Sequence, residues 1–86
     1  MKDLERSLKA VANRRRLAIL SYLKNNKEAP VGNIAKNIHL SFKATSRHLS
    51  VLAAADIVEK DQRGLQMFYR LIASQKPAIR YIVSML

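Results

Sequence analysis

Cysteine is missing from all 86 residues, which excludes disulfides, thiolate metal sites and thiol-based redox sensing outright. Tryptophan is missing too, and only two glycines and two prolines punctuate the chain. No internal repeat, low-complexity stretch or linker divides it. Acidic residues are scarce: six Asp and Glu stand against sixteen Lys and Arg, a formal charge of +10. No apolar run approaches the ~20 residues that cross a bilayer, and Met1 to Ala12 is charged and amphipathic, without the apolar centre of a signal peptide. The expected setting is therefore cytoplasmic, with no membrane partner. Paired carboxylates, a nucleophile with its base and a Gly-rich phosphate loop are absent, and His39 and His48 have no convergent partners. Enzymatic function is the reading with least support.

Half of the residues are hydrophobic, so the positive charge sits on a folded object rather than a disordered basic tail. A charge excess of this size favours a polyanion, because each neutralised phosphate releases condensed counterions. A chain of this length fits one domain, residues 1–86, and buries only ~60% of its unfolded surface, so association with a second copy is expected.

The most informative segment runs from Val31 to Leu52. Val31, Ile34, Ala35 and Ile38 fall at the i, i+3, i+4, i+7 spacing of one buried helical stripe. After a short polar turn, Thr45, Leu49 and Leu52 form the matching inward stripe of a second helix. Lys43, Ser46, Arg47 and Ser50 then point together to the opposite side. A helix-turn-helix requires this division, with one face packed and one presented to the major groove.

Around this unit, Leu4, Leu8, Val11 and Ala12 predict a first helix opened by Asp3 as its cap, and Asn13 caps a second helix over about Arg14 to Asn26. Lys24 and Lys27 suit the C-terminal dipole of that second helix, and Pro30 suits the first turn of the next. Beyond Ala55 the pattern becomes extended. Ile57 and Val58 start one strand, Gln66 to Leu71 form another, and Asp61 to Gly64 supply the turn of a two-stranded hairpin. A last helix from Gln75 or Pro77 carries Ile79, Ile82, Val83 and Leu86 on a stripe with no evident intrachain partner.

The sequence Ser41-Phe42-Lys43-Ala44-Thr45-Ser46-Arg47-His48-Leu49-Ser50-Val51-Leu52 resembles the recognition helix of the ArsR-type winged helix-turn-helix regulators. Supporting stretches are Leu8 to Leu17 and Gly64 through Tyr69-Arg70-Leu71. The resemblance implies a mainly α fold with a small β-hairpin, in the order α-α-α-α-β-β-α. It also implies a homodimeric transcriptional regulator of double-stranded DNA, with repression the expected effect. Where the family commonly has Gly after each helix of the motif, this chain has His39 and Asp56, residue types enriched at positive φ. Metal-sensing relatives carry Cys pairs in the helix equivalent to Val31 to Ile38, or Asp, Glu and His ligands on the last helix; this chain has neither set, so no metal or other cofactor is expected.

Under this reading Lys43, Ser46 and Arg47 contact base edges, with Arg47 suited to bidentate reading of guanine. Lys36, Ser41, Ser50, Arg16 and the neighbouring Arg14 and Arg15 are candidates for the backbone, and Arg63 for the minor groove beside the wing. Arg16 equally suits a structural ion pair, Ser41 a helix cap, and Arg63 a solvated turn. Phe42 either meets a thymine methyl or staples the turn to the core, the second being favoured, and an inward role suits His48. Leu4, Leu8, Ile79, Ile82, Val83 and Leu86 are assigned to a two-fold dimer interface. The rivals are an architectural or RNA-binding winged helix and a protein-interaction module. No residue identifies an effector.

Overall fold

Asn13 decides where the first helix stops and the second starts. Its backbone is extended, and its side-chain oxygen accepts from the amides of Arg15 and Arg16 at 2.9 and 3.1 Å, satisfying two of the donors that a helix start leaves unpaired. The computed structural model describes Met1–Leu86 as α1 (Lys2–Val11), α2 (Arg14–Asn25), β1 (Ala29–Pro30), α3 (Val31–Asn37), α4 (Phe42–Ala54), β2 (Val58–Arg63), β3 (Gln66–Leu71) and α5 (Pro77–Ser84). This is the expected winged helix-turn-helix. Its core draws on every element, with Ile19, Leu20, Ile34, Leu49, Leu52, Ile57, Val58 and Ile79 essentially inaccessible. As the periodicity predicts, α3 and α4 pack through Val31, Ile34, Ala35 and Ile38 against Thr45, Leu49 and Leu52.

Four local expectations are corrected. Met1 rather than Asp3 occupies the cap position of α1; Asp3 lies inside the first turn, where its charge still favours the helix N-terminus. Pro30 precedes α3 and is extended, pairing with Phe68 while Ala29 pairs with Tyr69, so the hairpin becomes a three-stranded antiparallel sheet in the order β1-β3-β2. An edge strand tolerates a residue that has no amide to donate. The wing turn is tighter than expected: Asp61 to Arg63 remain paired strand, and Gly64-Leu65 alone make the turn, with φ +60 at Gly64. Lys24 lies in the last turn of α2, where its charge suits the helix C-terminus as expected, and it also donates to the main-chain oxygens of Ser84 and Leu86 at the end of α5, at 3.2 and 2.8 Å.

The fourth correction concerns the outer helices. Ile79 is 1% exposed within the single protomer, and Ile82, Val83 and Leu86 pack partly against the same core. The stripe does have an intrachain partner, α2, and Ile79 is not available to a second chain. On α1 the packing runs opposite to residue size: Ser7, Ala10 and Val11 face inward while Leu4 and Leu8 stay exposed. The outward face of α5 is instead built from Tyr81 and Met85.

Both helices of the motif end in the same way. His39 and Asp56 adopt φ of 55 and 59, and each is followed by a pair of closing bonds. The amides of His39 and Leu40 donate to the carbonyls of Lys36 and Ala35, and those of Asp56 and Ile57 to Ala53 and Leu52. These are Schellman caps carried by residues that pay a conformational cost glycine avoids.

The orientation of α4 against α1 runs through Arg16. Its guanidinium donates to the carbonyls of Ala10 and Lys9 at the end of α1 and, at 3.2 Å, to Nδ1 of His48 on α4. Since arginine only donates, His48 accepts at Nδ1 and carries its proton on Nε2. Burial first, then the charges of Arg16, Arg15 and Arg47, hold the His48 imidazole below its ordinary range.

Two measurements follow from these contacts. Replacing His39 or Asp56 by Gly should each stabilise the fold by about 0.5–1 kcal/mol, read as a rise of several degrees in Tm; a fall would refute the cost assigned to these caps. Because His48 is favoured neutral when folded, its contribution is present above the unfolded value near 6.5 and declines as pH drops below it. Stability of the wild-type chain should therefore fall between about pH 6.5 and 5, and His48→Gln should flatten that limb. A wild-type curve that stays level there would contradict the assignment.

Candidate nucleic-acid interface

From Arg6 to Ala55 the chain contains a single carboxylate, Glu28, and that one is held by Arg63. Helices α2, α3 and α4 therefore carry basic residues with no acidic residue of their own. Such a surface draws a polyanion to the helix-turn-helix rather than to the molecule at large.

Within it, Ser41 sets the start of α4: its Oγ accepts from the Ala44 amide at 3.1 Å, so capping is its observed role. The inward residues Thr45, Leu49 and Leu52 are wholly covered. Lys43, Arg47 and Ser50 are exposed on the other side and Ser46 is half-buried among them. No carboxylate lies within ion-pair distance of Lys43 or Arg47. The four residues expected on one free face are therefore brought together there. Lys36 is exposed on α3, beside a shallow polar cleft formed with Tyr22, Asn33 and Asn37.

Two arginines of the triple run are committed inside the protomer. Arg16 holds the end of α1 and His48, and Arg15 donates to the Ile38 carbonyl at 3.3 Å, closing the end of α3. Neither an ion pair nor a free phosphate anchor describes Arg16. Arg14 alone of the three stays exposed without a side-chain partner. His48 has the inward role expected of it.

The wing behaves differently from the expectation for Arg63. Strand β2 runs to Arg63, so this residue flanks the tip, and its guanidinium folds back onto Glu28 at 2.6 and 2.8 Å and Asp61 at 3.0 Å while lying 4.4 Å from the Phe68 ring centre. These contacts raise the Arg63 pKa above its ordinary value, and Arg63 in turn lowers that of Glu28 despite some opposing desolvation. Arg70 joins the same network through Glu28 and Asp61, both at 3.8 Å, and holds Glu59 at 3.0 Å. The Tyr69 hydroxyl, buried in the sheet, is pushed up by desolvation.

Large apolar side chains left exposed include Phe42, Leu65, Tyr81 and Met85, the last three outside the surfaces expected from the sequence. The expectation that Phe42 packs is not met: it is 62% exposed at the first position of α4 and is not among the buried residues of the core. Leu65 stands fully exposed at the wing tip. For Tyr81 and Met85 the signal was present, since they lie four residues apart on a helix already apolar on its other side. No helix is long and apolar enough to cross a membrane, and no group of three or more His, Cys, Asp or Glu converges.

The sequence profile of the bacterial regulatory protein, arsR family, matches residues 13–60, which spans α2, β1, α3, α4 and the start of β2. The transcriptional activator HlyU of Vibrio cholerae is 38% identical over 72 residues, covering 84% of this chain and 66% of that protein. The chain thus spans just under two thirds of this relative's length. The solved structure of reduced HlyU from the same organism superimposes with a TM-score of 0.82 at 32% identity, covering 99% of this chain and 85% of that one. The homodimeric winged helix-turn-helix DNA-binding domain Mb0332 of Mycobacterium bovis superimposes with a TM-score of 0.83 at 27% identity, covering 98% and 74% of the two chains. With a profile match across the motif and winged-helix regulators superimposing over almost its whole length, the chain belongs to the ArsR family of DNA-binding transcriptional regulators, which are not enzymes.

Proposed function

We propose that the chain is a homodimer that binds a defined double-stranded DNA sequence and represses transcription, without a metal site. The carrying observation is the asymmetry of α4: Thr45, Leu49 and Leu52 are sealed in the core while Lys43, Arg47 and Ser50 are exposed on the opposite side, with Ser46 half-buried beside them. Arg47 supplies a planar fork for guanine O6 and N7, and Lys43 and Ser46 add single hydrogen bonds to neighbouring base edges. Lys36, Ser50 and the exposed Arg14 meet phosphates and set the register, joined by amides of the first turn beside Ser41. Arg16 and Arg63 act one step back, holding the α1–α4 contact and the wing.

The dimer is assigned to the outer faces of α1 and α5, where Leu4, Leu8, Tyr81 and Met85 are exposed and Ile82, Val83 and Leu86 lie half-buried behind. The homodimeric state of the Mycobacterium bovis domain supports this assembly. Pairing two copies about a two-fold axis places the recognition helices about 34 Å apart, one turn of the duplex. Repression needs only that the occupied site overlap a promoter, although the Vibrio relative is named as an activator. With no cysteine and no convergent set of ligands, metal binding has no donor set to use.

Selection of duplexes from a randomised pool by the purified chain, at stated salt, tests the reading directly. On the selected site, Arg47→Ala should weaken binding by about 10–100-fold while affecting random duplex far less, whereas Lys36→Ala should weaken both alike and reduce the salt slope by about one. Equal losses of both duplexes for Arg47→Ala would favour charge-only binding. Inserting about half a helical turn, roughly five base pairs, between the half-sites should abolish tight binding. Unchanged affinity would remove the symmetric docking model.

A further inference from the structure

We propose that Phe42 is a specificity-determining residue, whose ring packs against the 5-methyl group of a thymine in each half-site. This rests on the DNA-reading role proposed above for α4. Met1 at the chain start and Leu65 at the wing tip aside, the other large apolar side chains that remain exposed have a place in the assembly or its grooves: Leu4 and Leu8 on α1 and Tyr81 and Met85 on α5 fall on the proposed dimer face, and Val51 borders the groove between α1 and α4. Phe42 has none. Its ring is 62% exposed and lies outside the core cluster and the hydrophobic residues packed on it.

The position of the ring argues for the groove floor. Phe42 is the first residue of α4, held there by the Ser41 cap, and helical side chains lean back toward the N-terminus of their helix. A phenyl ring at that position projects past the end of the helix, the end that enters the major groove and meets base edges. Four residues on lies Ser46, with Lys43 and Arg47 adjoining, so ring and polar readers share one approach to the duplex. Among the groups that base pairs present in the major groove, only the thymine methyl is apolar. A phenyl ring has no hydrogen bond to offer the others, so its preference is for that methyl.

The test uses the full chain and the duplex that it selects from a randomised pool, with each thymine in turn replaced by deoxyuridine in both half-sites. For the wild type, one thymine per half-site should prove sensitive, with a loss of about fourfold for each methyl and about fifteenfold for the symmetric pair. Phe42→Ala should bind that duplex more weakly and no longer distinguish thymine from uracil at that position, while Phe42→Leu should retain part of the discrimination. Insensitivity to uracil at every position, or an equal loss in Phe42→Ala, overturns the assignment while leaving α4 as the reading helix. Dissociation of the dimer by Phe42→Ala in sedimentation also overturns it, by placing the ring in a protein interface. Failure of the wild type to select any duplex removes the underlying reading as well.

Discussion

A single guanidinium holds the recognition helix to the outer part of the molecule. Arg16 grips the last carbonyls of α1 and the inner nitrogen of His48 on α4, so the helix carrying the exposed leucines proposed for the dimer face and the helix proposed to read DNA share one fixed point. The arrangement works because a helix C-terminus is a partial negative charge that a cation neutralises without any carboxylate. It also sets a condition on His48, which must stay neutral to accept.

The same device recurs across the fold. Arg15 closes the end of α3, Arg6 donates to the Ala54 carbonyl at the end of α4 at 2.8 Å, and Lys24 closes α5. Four helices are thus tied at their C-termini by basic side chains from elsewhere in the chain. A protein whose helix-turn-helix region is nearly free of acids cannot brace itself there with ion pairs. It braces itself with main-chain carbonyls, and its basic residues divide into those laid against helix ends and those left free for a polyanion.

That division explains what was legible beforehand. The inward stripe of α4, the caps at Asn13 and Ser41 and the left-handed His39 and Asp56 are local matters of spacing and residue type, and each appears where the sequence places it. Arg15 reaches the Ile38 carbonyl 23 residues on and Arg16 the His48 ring 32 residues on, and no periodicity reports contacts at such separations. On α5 both faces are apolar, so spacing alone could not say that Ile79 turns inward and Tyr81 outward. On α1 the small side chains Ser7, Ala10 and Val11 face the core and the leucines do not, so residue size alone misleads there. Strand β1, two residues long, is too short for any pattern.

The wing shows how the remaining acids are kept from opposing the approach to DNA. Glu28, Glu59 and Asp61 gather on the sheet with Arg63 and Arg70, and exposed Lys60 lies between two of them on β2. Unpaired, three carboxylates beside a phosphate backbone would repel it; interleaved with arginines, they leave a nearly neutral sheet. Surface ion pairs of this kind add little stability singly, but their arrangement removes a repulsive field. The tip itself, Gly64-Leu65, carries no charge. The unopposed positive charge therefore lies on α2, α3 and α4 rather than on the hairpin.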